Sequence, residues 1–156
     1  MRLLGGLLVV VAIAASACGD DGSASCVEIR EPLDPLSIQH VLDGDSVIYP
    51  NDQPTSGPHL SGPSVSGLLT EPIIPAAQVR VLEEGGVVVQ FGATVDVGDL
   101  TPMLDASAVP MVIAPADTLP AAVVATAWTW KLTCERPDAA RILDFTGRAS
   151  FAPGSD

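Results

Sequence analysis

The sequence predicts an α+β fold: one small domain whose mainly antiparallel sheet is covered by short helices and crossed by a long Gly/Pro-rich loop. Three observations carry that expectation. Short β-branched or alternating runs, notably Val87 to Phe91 and Val124 to Cys134, are interleaved with short stretches of helical spacing that open on proline. Hydrophobic residues make up 47% of the 156, enough for a core and far too many for a disordered acidic tail. With 3 Phe, 2 Trp and 1 Tyr, that core has to be built mainly from Val, Leu, Ile and Ala.

The first element is a targeting segment. Met1 and Arg2 precede an unbroken apolar run over residues 3–14, which has the form of a signal-peptide h-region. A helix of that length spans roughly 18 Å against a hydrocarbon core of about 30 Å, so it is too short for a permanent crossing. Ala15-Ser16-Ala17-Cys18 resembles the lipobox of bacterial lipoproteins, which makes residues 1–17 a signal peptide and Cys18 the lipidated first residue of the mature chain. An ordinary secretory signal cleaved nearby is the competing reading. Two or three acyl chains on Cys18 anchor a protein stably where a single chain does not. Residues 18–25 are small and polar, suited to a flexible tether. The globular domain is expected over residues 26–150, with 151–156 as a disordered tail.

Within the domain, Val27 to Ile29 and Val47 to Tyr49 are weak strand candidates. From Pro50 to Pro75 the chain carries nine Gly or Pro residues, a density that no regular element is expected to survive. Leu68-Leu69 and Ile73-Ile74 supply apolar anchors, so this stretch reads as an ordered loop wrapped over the core. Ala76 to Glu84 reads as a short helix, with Pro75 suited to its start and Gly85-Gly86 to its left-handed end. Val87 to Phe91 is a buried strand, Asp99 to Ala106 a second short helix, and Val109 to Ala114 a strand that Pro110 restricts to an edge or a strand start. Alternation from Val124 to Cys134 places Trp128, Trp130 and Cys134 on one face of a single strand. Pro137 opens a final helix through about Gly147, with Ala139, Ile142, Leu143 and Thr146 at helical spacing.

Charge and cysteines narrow the function. The formal net charge is −12, with 7 Lys plus Arg, so the clustered cationic footprint a nucleic-acid binder needs is not there. Once lipidation uses Cys18, Cys26 and Cys134 form an even remainder, which in an exported chain reads as a disulfide; two free buried thiols are the alternative. Their spacing matches no zinc pattern, since Cys-x-x-Cys does not occur and His40 and His59 are the sole histidines. Serine-hydrolase, phosphate-loop, His-Glu-x-x-His and dinucleotide fingerprints do not occur either. Ser56 beside His59 is a Ser/His pair without an orienting third group, so no enzyme is expected.

Two segments carry more information: Gln53-Pro54-Thr55-Ser56-Gly57-Pro58-His59 and Val79-Arg80-Val81-Leu82-Glu83-Glu84-Gly85-Gly86-Val87. Together they resemble the bacterial domain-of-unknown-function 3105 family, whose members carry Pro-Pro-Thr-Ser-Gly-Pro-His, then His-x-Leu-Glu-His-Gly and a valine-rich strand. His40-Val41 with Gly44 and Val47-x-Tyr49, Ala114-Pro115, and Thr126-Ala127-Trp128 extend the likeness over roughly residues 38–147. The family has no established activity, so the resemblance implies a location and a fold relationship, not a reaction. Its pattern would place four imidazoles at positions matching His40, His59, Arg80 and Glu84. This chain departs from it at both helix positions, and Arg80, permanently charged and a donor only, cannot ligate a cation. Arg80 and Glu84, four apart on the helix, are instead expected to pair and to offset carboxylates that the helix C-terminus disfavours.

The reading is therefore a non-catalytic, lipid-anchored cell-envelope protein, a binding or structural module with a degenerate metal site and no cofactor. Its candidate binding residues are Thr55, Ser56, Pro58, His59, Arg80, Glu83 and Glu84. Its partners would be the membrane, through the lipid anchor, and an envelope protein or small ligand; nucleic acid is not among them. The alternative is a copper- or zinc-handling envelope lipoprotein using His40, His59 and Glu84.

Overall fold

The computed structural model describes residues 25–154. The expected signal peptide, Cys18 and all but the last residue of the tether lie outside the described residues. A six-stranded sheet forms the centre, in the order β1 (Cys26–Arg30), β8 (Trp130–Cys134), β7 (Val123–Ala127), β5 (Val87–Phe91), β6 (Met111–Pro115) and β4 (Gly67–Leu68). The first three pairings are antiparallel; β5 with β6 and β6 with β4 are parallel. The mainly antiparallel α+β class holds, with a parallel edge that the sequence pattern did not signal.

β5 is valine-rich because both of its faces are covered. Val87 and Val89 face one core with Met111, Ile113, Val123, Ala125, Leu132 and Cys134, under the helices α2 (Pro102–Ala106) and α3 (Ala139–Phe145). Val88 faces the other with Val112, Ala114 and Trp128, under α1 (Pro75–Glu83) through Val79, Val81 and Leu82. α1 starts on Pro75 and stops where Gly85 adopts φ +79°. Gly85 N–H then donates to Leu82 O and Gly86 N–H to Val81 O, the paired bonds of a Schellman end. Gly86 has no alternative: a Cβ there would sit 2.9 Å from the Val81 carbonyl oxygen.

Several expectations are corrected. The stretch from Val124 to Cys134 is a hairpin, with Ala127 opposite Trp130. Trp128 therefore joins the α1-side core, while Trp130 packs toward the other one. The turn has no Gly or Asn to announce it, and Thr129 takes φ +60°. Tertiary hydrogen bonds hold it there: Thr129 N–H donates to Thr55 O at 3.0 Å and Glu31 N–H to Thr129 O at 2.8 Å. Val47 to Tyr49 forms no strand; the pairing in that region belongs to β2 (His40–Val41) with β3 (His59–Leu60). The Gly/Pro-rich stretch thus contains two short bridges, β3 and β4, because neighbouring backbone supplies the partners its own composition does not. The second expected helix divides into a 3-10 turn at Val97–Asp99 and α2, which starts on Pro102. After α3 a 3-10 turn runs Thr146–Phe151, Ala152 is buried against α1, and Gly154 N–H donates to Glu83 O at 3.0 Å. Residues 151–154 therefore belong to the domain, not to a tail beginning at 151.

Candidate functional site

The loop from Gln53 to His59 is buried at every position. Its backbone is held from three directions. Pro54 O accepts from the Gln78 amide on α1 at 2.9 Å, Thr55 O accepts from the β7–β8 turn, and the Thr55 hydroxyl donates to Glu31 Oε2 at 2.7 Å. Glu31 Oε1 in turn takes Lys131 Nζ at 2.7 Å, and the same ammonium reaches Asn51 Oδ1 at 3.0 Å. The Ser56 hydroxyl accepts from Asp34 N–H at 2.9 Å. Thr55 and Ser56, expected as binding residues, are thus occupied in securing the loop, and Ser56 shares no hydrogen bond with His59 among the described residues.

Tyr49 covers the loop's tight point. Its ring lies where a Cβ on Gly57 would come within 3.1 Å, and Gly57 itself adopts φ +133°, a conformation suited to glycine. The Tyr49 hydroxyl donates to Pro58 O. Burial, and secondarily the Asp34 carboxylate, push its pKa up to about 12. Tyr49 is the sole tyrosine, so an absorbance titration reports it alone. Ionisation is expected near pH 12 in the folded protein and near pH 10 after unfolding. A raised folded value means that the stabilisation is complete below about pH 10 and disappears as pH rises through 12. Ionisation near pH 10 in the native state would show that the phenol is not buried beside Asp34.

The histidines meet because β2 and β3 run parallel with His40 opposite His59. Their ring centroids lie 4.8 Å apart, edge to face. His40 is exposed and His59 has no exposed surface. Nδ1 of His59 lies 3.1 Å from Gly57 O. A carbonyl only accepts, so Nδ1 carries the proton of that bond and the neutral ring keeps its lone pair on Nε2. That Nε2 lies 2.9 Å from Glu83 Oε2 and has no hydrogen-bond donor among the described residues.

Glu83 and Glu84 are both tied to Arg80. Its Nη1 reaches Glu83 Oε2 at 2.6 Å, its Nη2 pairs with Glu84 Oε1, and its Nε donates to Gly62 O at 2.7 Å. The expected Arg80–Glu84 pair is present, and the guanidinium also holds the Gly/Pro-rich loop at Gly62. The carboxylate grouped with His40 and His59 is Glu83, not Glu84. On a helix both Glu83 and Glu84 neighbour Arg80, at i+3 and i+4, so sequence spacing does not choose between them; the path of β3 past α1 does. Pro58 serves through its carbonyl. Glu31, Lys131 and Gln78, which secure the loop, carry no motif that would have marked them.

Beside the loop lies a groove of about 360 Å³ lined by Pro32, Leu33, Pro35, Pro50 and Pro54. Leu33, Leu36, Ile38, Leu42 and Ile48 expose large apolar side chains along the same segment. Elsewhere, Cys26 and Cys134, directly opposite on β1 and β8, are joined in a disulfide. Burial pushes the Glu28 carboxyl up, but hydrogen bonds and charge from Arg141 and Arg148 outweigh it and hold the group below the usual carboxylate range.

These features define a class: a small, disulfide-clamped α+β domain with a rigid Gly/Pro loop and a His/Glu corner at the end of a short helix. Residues 40–153 match the family described as protein of unknown function, DUF3105, and the chain belongs to that family. No curated protein and no solved structure matches it.

Proposed function

We propose that this protein is a non-catalytic, lipid-anchored module of the bacterial cell envelope, which holds a preorganised loop and His/Glu corner toward an envelope protein or a small ligand. The observation that carries the reading is the Cys26–Cys134 bridge, whose first cysteine lies eight positions after Cys18. Disulfides persist in oxidising compartments, and an anchor at Cys18 would pull on a strand end that is covalently locked to the sheet. Support for binding comes from the proline-lined groove and the exposed apolar side chains around it, since such clusters mark interaction surfaces. Loop residues fixed by the Glu31–Lys131 network would present that surface with little ordering left to do on binding.

The test is fractionation of cells expressing Cys18→Ser. The variant is expected in the soluble fraction or as unprocessed precursor, while the parent sediments with membranes. A variant that stays membrane-bound with normal processing removes the lipid anchor from the proposal. The second reading, a metal-handling envelope lipoprotein, is favoured by one observation, the unpartnered Nε2 of His59.

A further inference from the structure

We infer that His40, His59 and Glu83 bind one divalent first-row transition ion of the zinc(II) or copper(II) kind, and that Arg80 is the internal competitor that limits its affinity. The inference rests on the corner being a binding surface and is independent of the lipid anchor.

His59 carries most of the argument. Its ring is wholly buried, its Nδ1–H is directed to a backbone carbonyl, and its Nε2 lone pair has no donor to receive. An N–H fixed on a backbone carbonyl is the outer-shell arrangement that orients a metal-ligating imidazole. Glu83 Oε2, 2.9 Å from Nε2, is a second acceptor facing the first. Two acceptors at that distance repel unless a cation lies beside them; Arg80 Nη1, 2.6 Å from the same Glu83 oxygen, fills that role here, and a metal ion between the two ligands would take it over. A ring nitrogen of His40 completes a set whose ligand atoms all lie within 4.8 Å of one another. Bonds of about 2.0–2.1 Å to a tetrahedral ion require ligand atoms ~3.3 Å apart, so the 2.9 Å His59–Glu83 separation must open slightly while His40 closes in. His40 is exposed and can turn inward without disturbing the core.

Ligand chemistry selects the ion. Two imidazoles and one carboxylate suit zinc or copper, whereas calcium and magnesium take oxygen ligands. Three protein ligands leave the fourth position to solvent. Arg80 opposes loading because its Nη1 holds the same Glu83 oxygen, at 2.6 Å, that a metal would take. Glu84 gives the guanidinium a second carboxylate to retain when Glu83 is shared.

The full-length protein, purified in detergent and stripped with a chelator, is titrated with Zn²⁺ against a chromophoric competitor. One equivalent is expected to bind. His40→Ala, at an exposed position, and Glu83→Gln, which keeps the side-chain volume, are each expected to weaken binding by about 100-fold, the upper end of what losing even an outer-shell partner does. Circular dichroism confirms that the variants are folded. With Cu²⁺, electron paramagnetic resonance is expected to show two coupled nitrogens in the parent and one in His40→Ala. Arg80→Gln is expected to tighten Zn²⁺ binding by roughly tenfold through removal of a nearby positive charge. Failure to bind Zn²⁺, or unchanged affinity in both His40→Ala and Glu83→Gln, overturns the site; unchanged or weaker affinity in Arg80→Gln overturns the competitor. Cys18→Ser is expected to bind Zn²⁺ as the parent does, so loss of the anchor and loss of the metal site are read separately.

Discussion

Removing the Cys26–Cys134 bridge is expected to destabilise the domain by about 4–5 kcal/mol, because its closure spans 108 positions and frees a long loop in the unfolded chain. Folded domains of this size have roughly 5–15 kcal/mol in total, so the loss threatens folding at physiological temperature. Structure concentrates the effect on β1. Among the described residues that strand is the edge of the sheet and pairs only with β8, and its Val27 and Ile29 are exposed and contribute little burial. Besides the backbone ladder, it is held by Glu28, paired to Arg141 and Arg148, by Arg30 over the Trp130 ring, and by Glu31 just beyond its end. A Cys26→Ala, Cys134→Ala double variant avoids stray thiols, and its denaturant midpoint is compared with that of the oxidised parent. Addition of reductant to the parent should lower its midpoint to a similar value. Equal midpoints for oxidised and reduced parent would show that the bridge contributes nothing to stability.

Lys131→Met is expected to cost about 3 kcal/mol, the low end of what breaking a buried ion pair costs. Lys131 and Glu31 keep 9% and 20% of their side-chain surface exposed, so Glu31 is left charged with partial access to water. Thr55 still donates to the other Glu31 oxygen, which limits the loss. Adding Glu31→Gln removes the stranded charge, and the double variant is expected to recover a large part of the stability. A double-mutant cycle measured by denaturation isolates that coupling. The functional consequence follows the same bonds, since Thr55 also fixes the β7–β8 turn through Thr129. A Lys131→Met variant within about 0.5 kcal/mol of the parent, the range of an ordinary surface substitution, would show that the loop is secured without this ammonium.

Much of this protein is legible along the chain where the physics is local. Pro75 at a helix start and Gly85-Gly86 at its end bracket α1 to within a residue, because capping depends on adjacent backbone angles. The valine run of β5 announces a strand covered on both faces. Cysteine arithmetic pointed to the Cys26–Cys134 pair, and helix spacing to the Arg80–Glu84 contact. Two distinctive segments were enough to indicate the family.

What tertiary structure decided is everything that depends on a partner distant in sequence. The hairpin at Trp128-Thr129 was hidden because its turn lacks the residues that make turns cheap; Thr55 and Glu31, brought from far along the chain, stabilise the φ that Thr129 would otherwise avoid. Trp128 and Trp130 consequently separate onto opposite faces, though strict alternation placed them together. The buried loop is similar: Gly/Pro density correctly forbids long regular elements, but it is silent on the Gln78 amide and Glu31–Lys131 pair that immobilise what remains. At the corner, spacing identified both histidines and both glutamates without distinguishing which carboxylate faces the imidazoles. The parallel register of His40 with His59, and the way α1 packs beside that pair, bring Glu83 to the histidines as well as to Arg80 and leave Glu84 with Arg80 alone. A helix presents neighbouring side chains in directions set by its own period, and only the surface against which it packs determines which direction matters.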